Sequence, residues 1–326
     1  MKKLLPLLLG LALLAGCGQT PTEPEEGTDP DRLQIVATVF PAYDFARSAA
    51  GELADVTLLL PPGMESHSYE PTPADILAVQ ECDLFLCLGG ESDAWVDTIL
   101  SAVEPEGEIL RMTECVDLLE EETVEGMAEE PGHDHAHDHE DEDGFGVGVV
   151  REMDEHVWTS PRNAAEITRD IGEALAGIDP ANADTYRANA AGYAAELDAL
   201  DQEFEDFFAG VDDPVMVFGD RFPLRYFVER YGIEYYAAFP GCSTQTEPSA
   251  ATIAFLTEKV ETEDIGTVWY IEFSNHRVAD SIAESAGAET ALFHTCHNVT
   301  QEEMDGGATY VSLMEGNLER LRAAFA

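Results

Sequence analysis

The stretch PANADTYRANAAGYAAELDALDQEFEDFFAG, residues 180–210, decides the fold of this chain. Its apolar side chains, from Tyr186 to Phe207, recur at alternating steps of four and three residues, so they form one stripe along one face of a helix. At about 1.5 Å per residue the helix would be roughly 45 Å long, more than a connection within one ordinary domain needs. A coiled-coil seam would require about three or four heptads, and the stretch has about two. We therefore predict a rigid spine helix between two lobes.

Short apolar runs alternate with helical patterns on both sides of the spine. The runs 35–40 and 215–218 are typical of buried strands, and each is followed by a short helical pattern. Such alternation favours mostly parallel sheets, whose ligands bind in the loops beyond the carboxyl ends of the strands. We predict an α/β protein of two lobes, each a mostly parallel sheet with flanking helices, joined by the spine helix. The predicted boundaries are 32–178 for the N-terminal lobe, 179–211 for the spine helix and 212–326 for the C-terminal lobe.

The N-terminus indicates export. Lys2 and Lys3 precede the apolar run 4–14, which is too short to span a bilayer as a helix and is typical of an export signal. The Leu-Ala-Gly-Cys sequence that ends at Cys17 resembles the bacterial lipoprotein processing box, and this resemblance implies cleavage before Cys17 and a lipid on its sulfur. Residues 18–31 are rich in Pro, Thr, Glu and Gly and predict a disordered tether. We expect a signal peptide over 1–17 and a folded part anchored outside the cytoplasmic membrane.

The charge balance restricts the possible partners. The chain of 326 residues has 16 Lys and Arg against 66 Asp and Glu, a formal net charge of −50. Nucleic acids and anionic membrane surfaces attract cationic proteins, so we exclude nucleic acid and expect cations as partners. Most of these carboxylates need do no more than keep an exported protein soluble.

Several motifs follow one another in an order that points to one protein family. They are Thr38-Val39-Phe40-Pro41, the loop 63–71, Gly90-Glu91 before Trp95, an acidic histidine-rich insertion, and His156-Val157-Trp158 before Ser160-Pro161. With the spine helix, they make the chain resemble the solute-binding lipoproteins of bacterial ABC importers, in the zinc and manganese family. The resemblance covers nearly everything after the tether. It implies a protein that binds one divalent metal ion in a cleft between two lobes and delivers it to a membrane permease. We expect the protein to be a monomer.

The resemblance assigns the first two metal ligands. His67, in a loop rich in proline, corresponds to the family's first ligand, and His156 corresponds to its second. Neutral imidazole binds zinc well, and a proline-flanked loop fixes the direction of the ring without induced ordering. His276 precedes a predicted helix, and we expect it at the surface.

The remaining ligands depart from the family pattern. The family usually has a histidine after the first strand of the second lobe, and the sequence 217–223 has none. Asp220 and Glu272, each at a predicted strand end, are alternatives for an oxygen ligand. The family's last ligand follows the final strand, where we predict His294, His297 or both. Imidazoles with one carboxylate favour Zn²⁺ as the transported cargo, and Mn²⁺, which prefers more oxygen, is the alternative.

The histidine-rich insertion lies within 116–150 of the N-terminal lobe. It places four histidines among carboxylates with no apolar periodicity, so it cannot form core and predicts a mobile, metal-attracting loop. We expect it to capture metal transiently and transfer it to the cleft, because a flexible segment binds weakly. An incidental low-complexity loop is the alternative. The four residues are His133, His135, His137 and His139.

Five cysteines remain when Cys17 is set aside. An exported chain favours disulfides, but an odd number leaves at least one thiol outside a pair. We predict a disulfide between Cys242 and Cys296, because both lie in loops of the C-terminal lobe, although Cys296 could instead be a soft zinc ligand. The pairing of the other three is left open: Cys82, Cys87 and Cys115.

These patterns favour a binding protein that performs no catalysis. A zinc hydrolase is the competing hypothesis, because a missing third histidine would leave an open position for water, with Glu65 as a base. However, the sequence has no His-Glu-x-x-His helix and no nucleophile elbow. An adhesin-like surface protein is compatible with the anchor, but no motif requires it.

Overall fold

Two parallel four-stranded sheets carry the loops from which the candidate site is built. The computed structural model describes residues 32–66, 69–90, 94–127, 152–241 and 247–326. The strand orders are β2-β1-β3-β4 and β6-β5-β7-β8, and all strand pairings are parallel. This arrangement confirms the predicted α/β fold. The strands are β1 Leu33–Ala37, β2 Ala54–Leu58, β3 Leu84–Cys87, β4 Glu108–Arg111, β5 Val215–Phe222, β6 Glu234–Pro240, β7 Thr267–Ile271 and β8 Glu289–Phe293.

Helices flank the sheets and connect the parallel strands. Residues Arg32–Ala326 form one compact unit. None of the helices in the described ranges combines the length and apolar composition that a membrane crossing requires. The helices are α1 Phe40–Ala50, α2 Pro73–Glu81, α3 Ala94–Ala102, α4 Pro161–Ile178, α5 Ala183–Phe208, α6 Arg225–Tyr231, α7 Ala250–Thr262, α8 Arg277–Ala286, α9 Gln301–Asp305 and α10 Tyr310–Ala324.

The predicted spine is helix α5, which has 26 residues and is about 39 Å long at 1.5 Å per residue. It begins at Ala183, three residues later than predicted, because Asp179 accepts hydrogen bonds from the side chain of Asn182 and the backbone of Ala181 and so holds a turn there. Its apolar stripe is buried and ends at Phe208. Helix α4 packs against it, and a Cβ atom at Gly172 would approach the Cβ of Ala190 to 2.4 Å. Glycine therefore permits the close contact of the two helices.

Two buried carboxylates fix the spine to its neighbours. Asp44 on α1 accepts hydrogen bonds from the Tyr193 hydroxyl of the spine at 2.5 Å and from the backbone N–H of Tyr310 at 2.8 Å. Further along the spine, Asp201 accepts two hydrogen bonds from Arg230, at 2.6 and 3.0 Å. The spine is thus joined to the first sheet's helix α1 and to the second lobe's helix α6 by charged groups that solvent hardly reaches.

Strand β5 is longer than predicted, and the difference matters for the site. The sequence indicated an end at residue 218, whereas the strand continues to Phe222 after a register shift between Phe218 and Arg221. The apolar run ends at the polar sequence Gly-Asp-Arg, so the pattern alone predicts a shorter strand. The extension carries Asp220 and Arg221 within the strand.

Candidate metal centre

A cleft opens where loops beyond the carboxyl ends of β2, β5, β6, β7 and β8 meet the loop that precedes α4. This position agrees with the expectation for ligand sites in parallel sheets. Both lobes contribute polar side chains to it. They include Glu65, Ser66 and His156 from the first lobe and Arg221, Glu272, His297 and Asn298 from the second.

His156 is the buried imidazole of the first lobe, with 2% of its surface exposed. Its backbone N–H donates to Oδ1 of Asp154 at 2.8 Å, and its Nδ1 lies 3.1 Å from the same oxygen. A carboxylate at Nδ1 favours the tautomer that carries its proton there, so Nε2 keeps the lone pair that a metal ion needs. Burial alone would lower the pKa of His156, but the carboxylates of Asp154, Glu155 and Glu121 outweigh it and raise the pKa.

His297 brings a second imidazole from the other lobe. The ring centroids of His156 and His297 lie 6.4 Å apart, with the rings nearly perpendicular. Since zinc binds imidazole nitrogen at about 2 Å, rings that share an ion have centroids on the order of 5–6 Å apart. The indole of Trp158 lies 5.4 Å from each ring, and its Nε1 donates to the carbonyl of Thr295 at 2.9 Å. Trp158 is fully buried and supports both imidazoles at once.

His294 lies near this loop but does not line the cleft. Its backbone N–H and C=O are both bound by the side-chain amide of Asn317, at 2.8 and 2.7 Å. Its Nδ1 accepts the backbone N–H of Cys296, and its Nε2 lies 3.6 Å from a carboxylate oxygen of Glu303. Of the two histidines predicted in this loop, the structure brings His297 to His156 and directs His294 towards Glu303.

Asp220 is turned into the second lobe and is absent from the cleft wall. Its Oδ1 accepts the backbone N–H of Arg221 at 2.8 Å, and its Oδ2 accepts that of Ile271 at 3.4 Å. Burial raises the pKa of this carboxyl above its ordinary value. Asp220 therefore joins strands β5 and β7.

Glu272 lines the cleft and holds the loop that presents His297. One oxygen accepts the backbone N–H of Thr295 at 2.7 Å. The other accepts the Thr295 hydroxyl at 2.5 Å and the backbone N–H of His297 at 3.3 Å. Because a carboxylate has about four lone-pair positions, these bonds occupy most of its capacity.

Arg221 introduces a positive charge into the cleft. Its guanidinium donates to Glu65 of the first lobe at 3.0 Å, so an ion pair crosses the cleft. The Arg221 side chain is 19% exposed and that of Glu65 is 40% exposed. A fixed cation opposes metal binding unless a carboxylate compensates for it, and Glu65 is placed to do so.

Some predicted positions lie outside the described residues: His67, Cys242, Cys17 and the four histidines of 133–139. Cys296 is described and is a free, fully buried thiol, so it does not form the predicted disulfide with Cys242. Burial raises the pKa of this thiol well above its ordinary value, which opposes formation of the thiolate that a metal ion would need. Within the ranges that the structure covers, no three His, Cys, Asp or Glu side chains are grouped as metal ligands.

The sequence matches the family model described as zinc-uptake complex component A, periplasmic, over residues 35–324. The chain belongs to this family. The match confirms the resemblance inferred from the motifs. One relative is the zinc-binding lipoprotein AdcA of Streptococcus pneumoniae serotype 4, to which the chain is 30% identical over 323 residues. The matched region covers 99% of this chain and 61% of that protein. The chain is 30% identical over 311 residues to the high-affinity zinc uptake system protein ZnuA of Bacillus subtilis, covering 95% and 93%.

Solved structures in the family share the fold. The Zn(II)-bound ZnuA-like domain of Streptococcus pneumoniae AdcA superposes with a TM-score of 0.71 at 27% identity, covering 90% of this chain and 99% of that one. The metal-dependent lipoprotein YcdH from Bacillus subtilis gives a TM-score of 0.72 at 26% identity, covering 90% and 100%. The two-lobe architecture is therefore common to these proteins and this family member.

The predictions from the sequence assign no role in the site to three residues that the structure places there: Asp154, Trp158 and Arg221. Asp154 precedes His156 by two residues, a spacing that lets one carboxylate accept from both the backbone and the ring of the histidine. This spacing is visible in the sequence and is a signal by which Asp154 could be found. Nothing in the sequence indicated that Trp158 would contact imidazoles from both lobes, or that Arg221 would pair with Glu65 rather than with the adjacent Asp220.

Proposed function

We propose that this chain is the metal-capturing component of an ABC importer, holding Zn²⁺ in the cleft and delivering it to a membrane permease. The observation that carries the proposal is the approach of the His156 and His297 rings, from different lobes, to a centroid distance of 6.4 Å. His67 is the third imidazole in this proposal. The names of two relatives support zinc as the cargo, because one is called a zinc-binding lipoprotein and the other a high-affinity zinc uptake system protein.

The chemistry of the cleft favours zinc over manganese. Imidazole nitrogen suits Zn²⁺, whereas Mn²⁺ prefers carboxylate, carbonyl and water oxygens. Two carboxylates of the cleft are already engaged, since Glu272 binds the backbone of the His297 loop and Glu65 pairs with Arg221. The site therefore offers mainly nitrogen, and Mn²⁺ is the alternative cargo.

We propose that the site binds metal without catalysing a reaction. The hydrolase hypothesis needs a base beside the metal-bound water, and Glu65 is the base in that hypothesis. One carboxylate oxygen of Glu65 accepts a hydrogen bond from Arg221 at 3.0 Å, so this carboxylate is engaged in an ion pair across the cleft. Esterase and peptidase assays of the zinc-loaded protein check this point, since turnover that is lost with chelator and restored by zinc would favour the enzyme.

Two further parts of the proposal concern segments outside the described residues. We propose that a lipid on Cys17 anchors the protein outside the cytoplasmic membrane, in keeping with the lipoprotein names of its relatives. Substituting Cys17→Ala should release the protein from the membrane fraction.

We also propose that His133, His135, His137 and His139 capture zinc transiently. Deleting residues 132–143 should slow uptake at scarce zinc and leave the affinity of the cleft nearly unchanged.

Zinc titration against a competing chelator tests the ligand set. Loss of a residue that merely supports a ligand typically costs about 10–100-fold in metal affinity, so His156→Ala, His297→Ala and His67→Ala should each cost more than about 100-fold. His276→Ala is the matched control, because His276 is exposed and pairs with Asp280 away from the cleft. Equal affinities for the wild type, His156→Ala and His297→Ala would exclude the proposed site.

His294 needs a variant that separates its two possible roles. Asparagine at this position keeps an acceptor near Nδ1 for the backbone N–H of Cys296, and it removes Nε2. We expect His294→Asn to bind zinc within about threefold of the wild type, since a supporting residue that kept its main contact would cost less than the usual 10-fold. A loss as large as that of His297→Ala would return His294 to the ligand set.

A further inference from the structure

The loop 295–299 that carries His297 belongs to the second lobe but is hydrogen-bonded to the first. Its carbonyl groups accept from the Trp158 indole at Thr295, at 2.9 Å, and from the backbone N–H of Phe40 at His297, at 3.2 Å. The carbonyl of Val299 accepts the backbone N–H of Gly63 at 2.8 Å. The loop is therefore held against the first lobe by hydrogen bonds between protein groups.

Asn298, directly after His297, adds two side-chain hydrogen bonds to these connections. Its Nδ2 donates to the carbonyl of Pro61 at 2.7 Å and to the carbonyl of Met64 at 2.9 Å. These are the two ends of one tight turn, because the backbone N–H of Met64 also donates to the carbonyl of Pro61 at 3.1 Å. The amide oxygen accepts the N–H of Val299 at 2.8 Å, and the residue is 2% exposed. Every polar atom of the Asn298 amide is thus used.

The turn to which Asn298 is hydrogen-bonded is followed directly by residues of the first lobe that line the cleft. Glu65 and Ser66 follow Met64 and line the cleft, and His67 comes next in the sequence. We infer that Asn298 is a positioning residue for zinc binding. It holds the turn Pro61 to Met64 against the loop of His297 and so sets the spacing of these two segments, which border the cleft. This inference rests on the proposed function. Ligands held in place beforehand bind more tightly because less ordering remains to be done on binding.

Asparagine is the side chain that this position requires. It supplies two N–H groups in one plane to two converging carbonyl oxygens, and it also supplies one acceptor. Aspartate has the same shape and retains the acceptor for Val299, but it places a charged oxygen against the carbonyls of Pro61 and Met64. Asn298→Asp therefore turns attraction between the loops into repulsion with little change in volume. Asn298→Ala removes the connection and adds no charge.

The test compares these two variants in the purified full chain with the control Asn189→Asp. Asn189 also donates its side-chain amide to a backbone carbonyl, that of Ala49 at 3.2 Å, within the first lobe and the spine. We expect Asn298→Asp to weaken zinc binding by about 10-fold or more, the range seen when groups that orient metal ligands are lost. Most of the change should be in the zinc dissociation rate. Asn189→Asp should remain within about twofold of the wild type, as expected for a residue with no link to the metal ligands.

Cobalt provides a measurement that a loss of stability alone would not move. The visible absorption of bound Co²⁺ reports the geometry of its ligands, so at saturating Co²⁺ the Asn298 variants should show an altered spectrum and Asn189→Asp the wild-type one. If Asn298→Asp does not fold, Asn298→Ala decides the matter by the same measurements. Folded Asn298 variants with wild-type zinc affinity, dissociation rate and cobalt spectrum would overturn the inference. A failure of the proposed function would give a different result. The wild type itself would then bind no zinc, or its zinc affinity would be unchanged in His156→Ala and His297→Ala.

Discussion

Oδ1 of Asp154 accepts a hydrogen bond from the backbone N–H of His156 at 2.8 Å and lies 3.1 Å from Nδ1 of the same residue. Asp154 is itself held by Tyr226 of the second lobe, whose hydroxyl donates to the carbonyl of Asp154 at 2.6 Å. Both side chains of the Asp154–His156 pair are about 3% exposed. The direction of the His156 ring is therefore fixed by a short chain of contacts that reaches from one lobe to the other.

Replacing Asp154 with Asn should weaken zinc binding by about 10–100-fold, the usual cost of losing the partner of a metal-binding histidine. Asparagine fills the same space but lacks the charge that keeps the proton on Nδ1, so the pKa of His156 should also fall. Zinc titration and NMR titration of His156 measure the two effects. Asp280→Asn is the control, because Asp280 makes the same kind of pair with the exposed His276, at 2.9 Å. A zinc affinity that is unchanged in Asp154→Asn would show that the ring needs no such support.

Helix α9 offers a pH-dependent contribution to stability. His294, flanked by Glu303 and Glu272, has a raised pKa in spite of its burial, and its contact lowers the pKa of Glu303 to about 2. A raised histidine pKa stabilises the fold below the unfolded pKa of about 6.5, and this contribution is lost as pH rises through the folded value. The lowered glutamate pKa stabilises the fold above its unfolded pKa of about 4.3, and this contribution is lost as pH falls towards the folded value. Both contributions are present together between about pH 4.5 and 6.5.

We therefore expect Glu303→Gln to lower the melting temperature more at about pH 5.5, where His294 is charged, than at about pH 8.5. Glutamine keeps an acceptor for Thr300 at the start of α9, so the helix cap is largely retained. Glu302→Gln, at the neighbouring exposed position of the same helix, should show no such dependence. Melting curves across this pH range provide the measurement, and an equal loss at both pH values would contradict the assignment.

Asp44 gives a prediction about the spine itself. Its fully buried carboxylate receives the Tyr193 hydroxyl, the backbone of Tyr310 and the guanidinium of Arg47. Asp44→Asn removes the charge and turns an acceptor into a donor, which should lower the free energy of unfolding by about 2–3 kcal/mol. Asp198→Asn, on the exposed side of the spine where Asp198 pairs with Arg169, should change it by less than about 0.5 kcal/mol. Denaturant unfolding measures the free energy of unfolding of both variants. Similar losses in the two would contradict the prediction that burial of Asp44 makes its substitution more costly.

The parts of the structure that the sequence predicted depend on local patterns. The stripe of the spine and the strand–helix alternation repeat over many residues, so they survive small errors at each end. No repeating pattern indicates which of His294 and His297 faces the cleft, because this depends on how the chain turns between them. Cys296 has a φ of +62°. Asn317 and Glu272, more than twenty residues away, hold the backbone on either side of it, at His294 and at His297. No pattern within the loop reveals which ring then faces His156.

The disulfide prediction failed for a related reason. Location in loops of one lobe is a weak criterion, since a disulfide requires Cα atoms within about 7 Å and a suitable direction of each side chain. In the structure the thiol of Cys296 points towards the carbonyl of His294, at 3.8 Å, inside the fold. A pattern of sequence positions carries no information on that direction.

The Arg221–Glu65 pair allows the electrostatics of the cleft to be tested in both directions. Glu65→Gln leaves the guanidinium without its carboxylate partner, so zinc affinity should fall, by roughly 3–10-fold for a charge interaction in a partly hydrated cleft. Arg221→Gln removes the cation and releases the carboxylate, so affinity should rise by a similar factor. The double variant should lie near the wild type, because each change cancels the other's effect on the net charge.

Glu229→Gln is the control for this cycle, because Glu229 pairs with Arg225 on α6, outside the cleft, and is 57% exposed. Zinc affinities of the four cleft proteins at low and high salt provide the measurement, and the differences should shrink as salt screens the charges. Shifts in the same direction for both single variants would mean that the pair holds the lobes together instead of balancing charge. In that case the zinc dissociation rate of both single variants should rise together, and salt should have little effect on the difference.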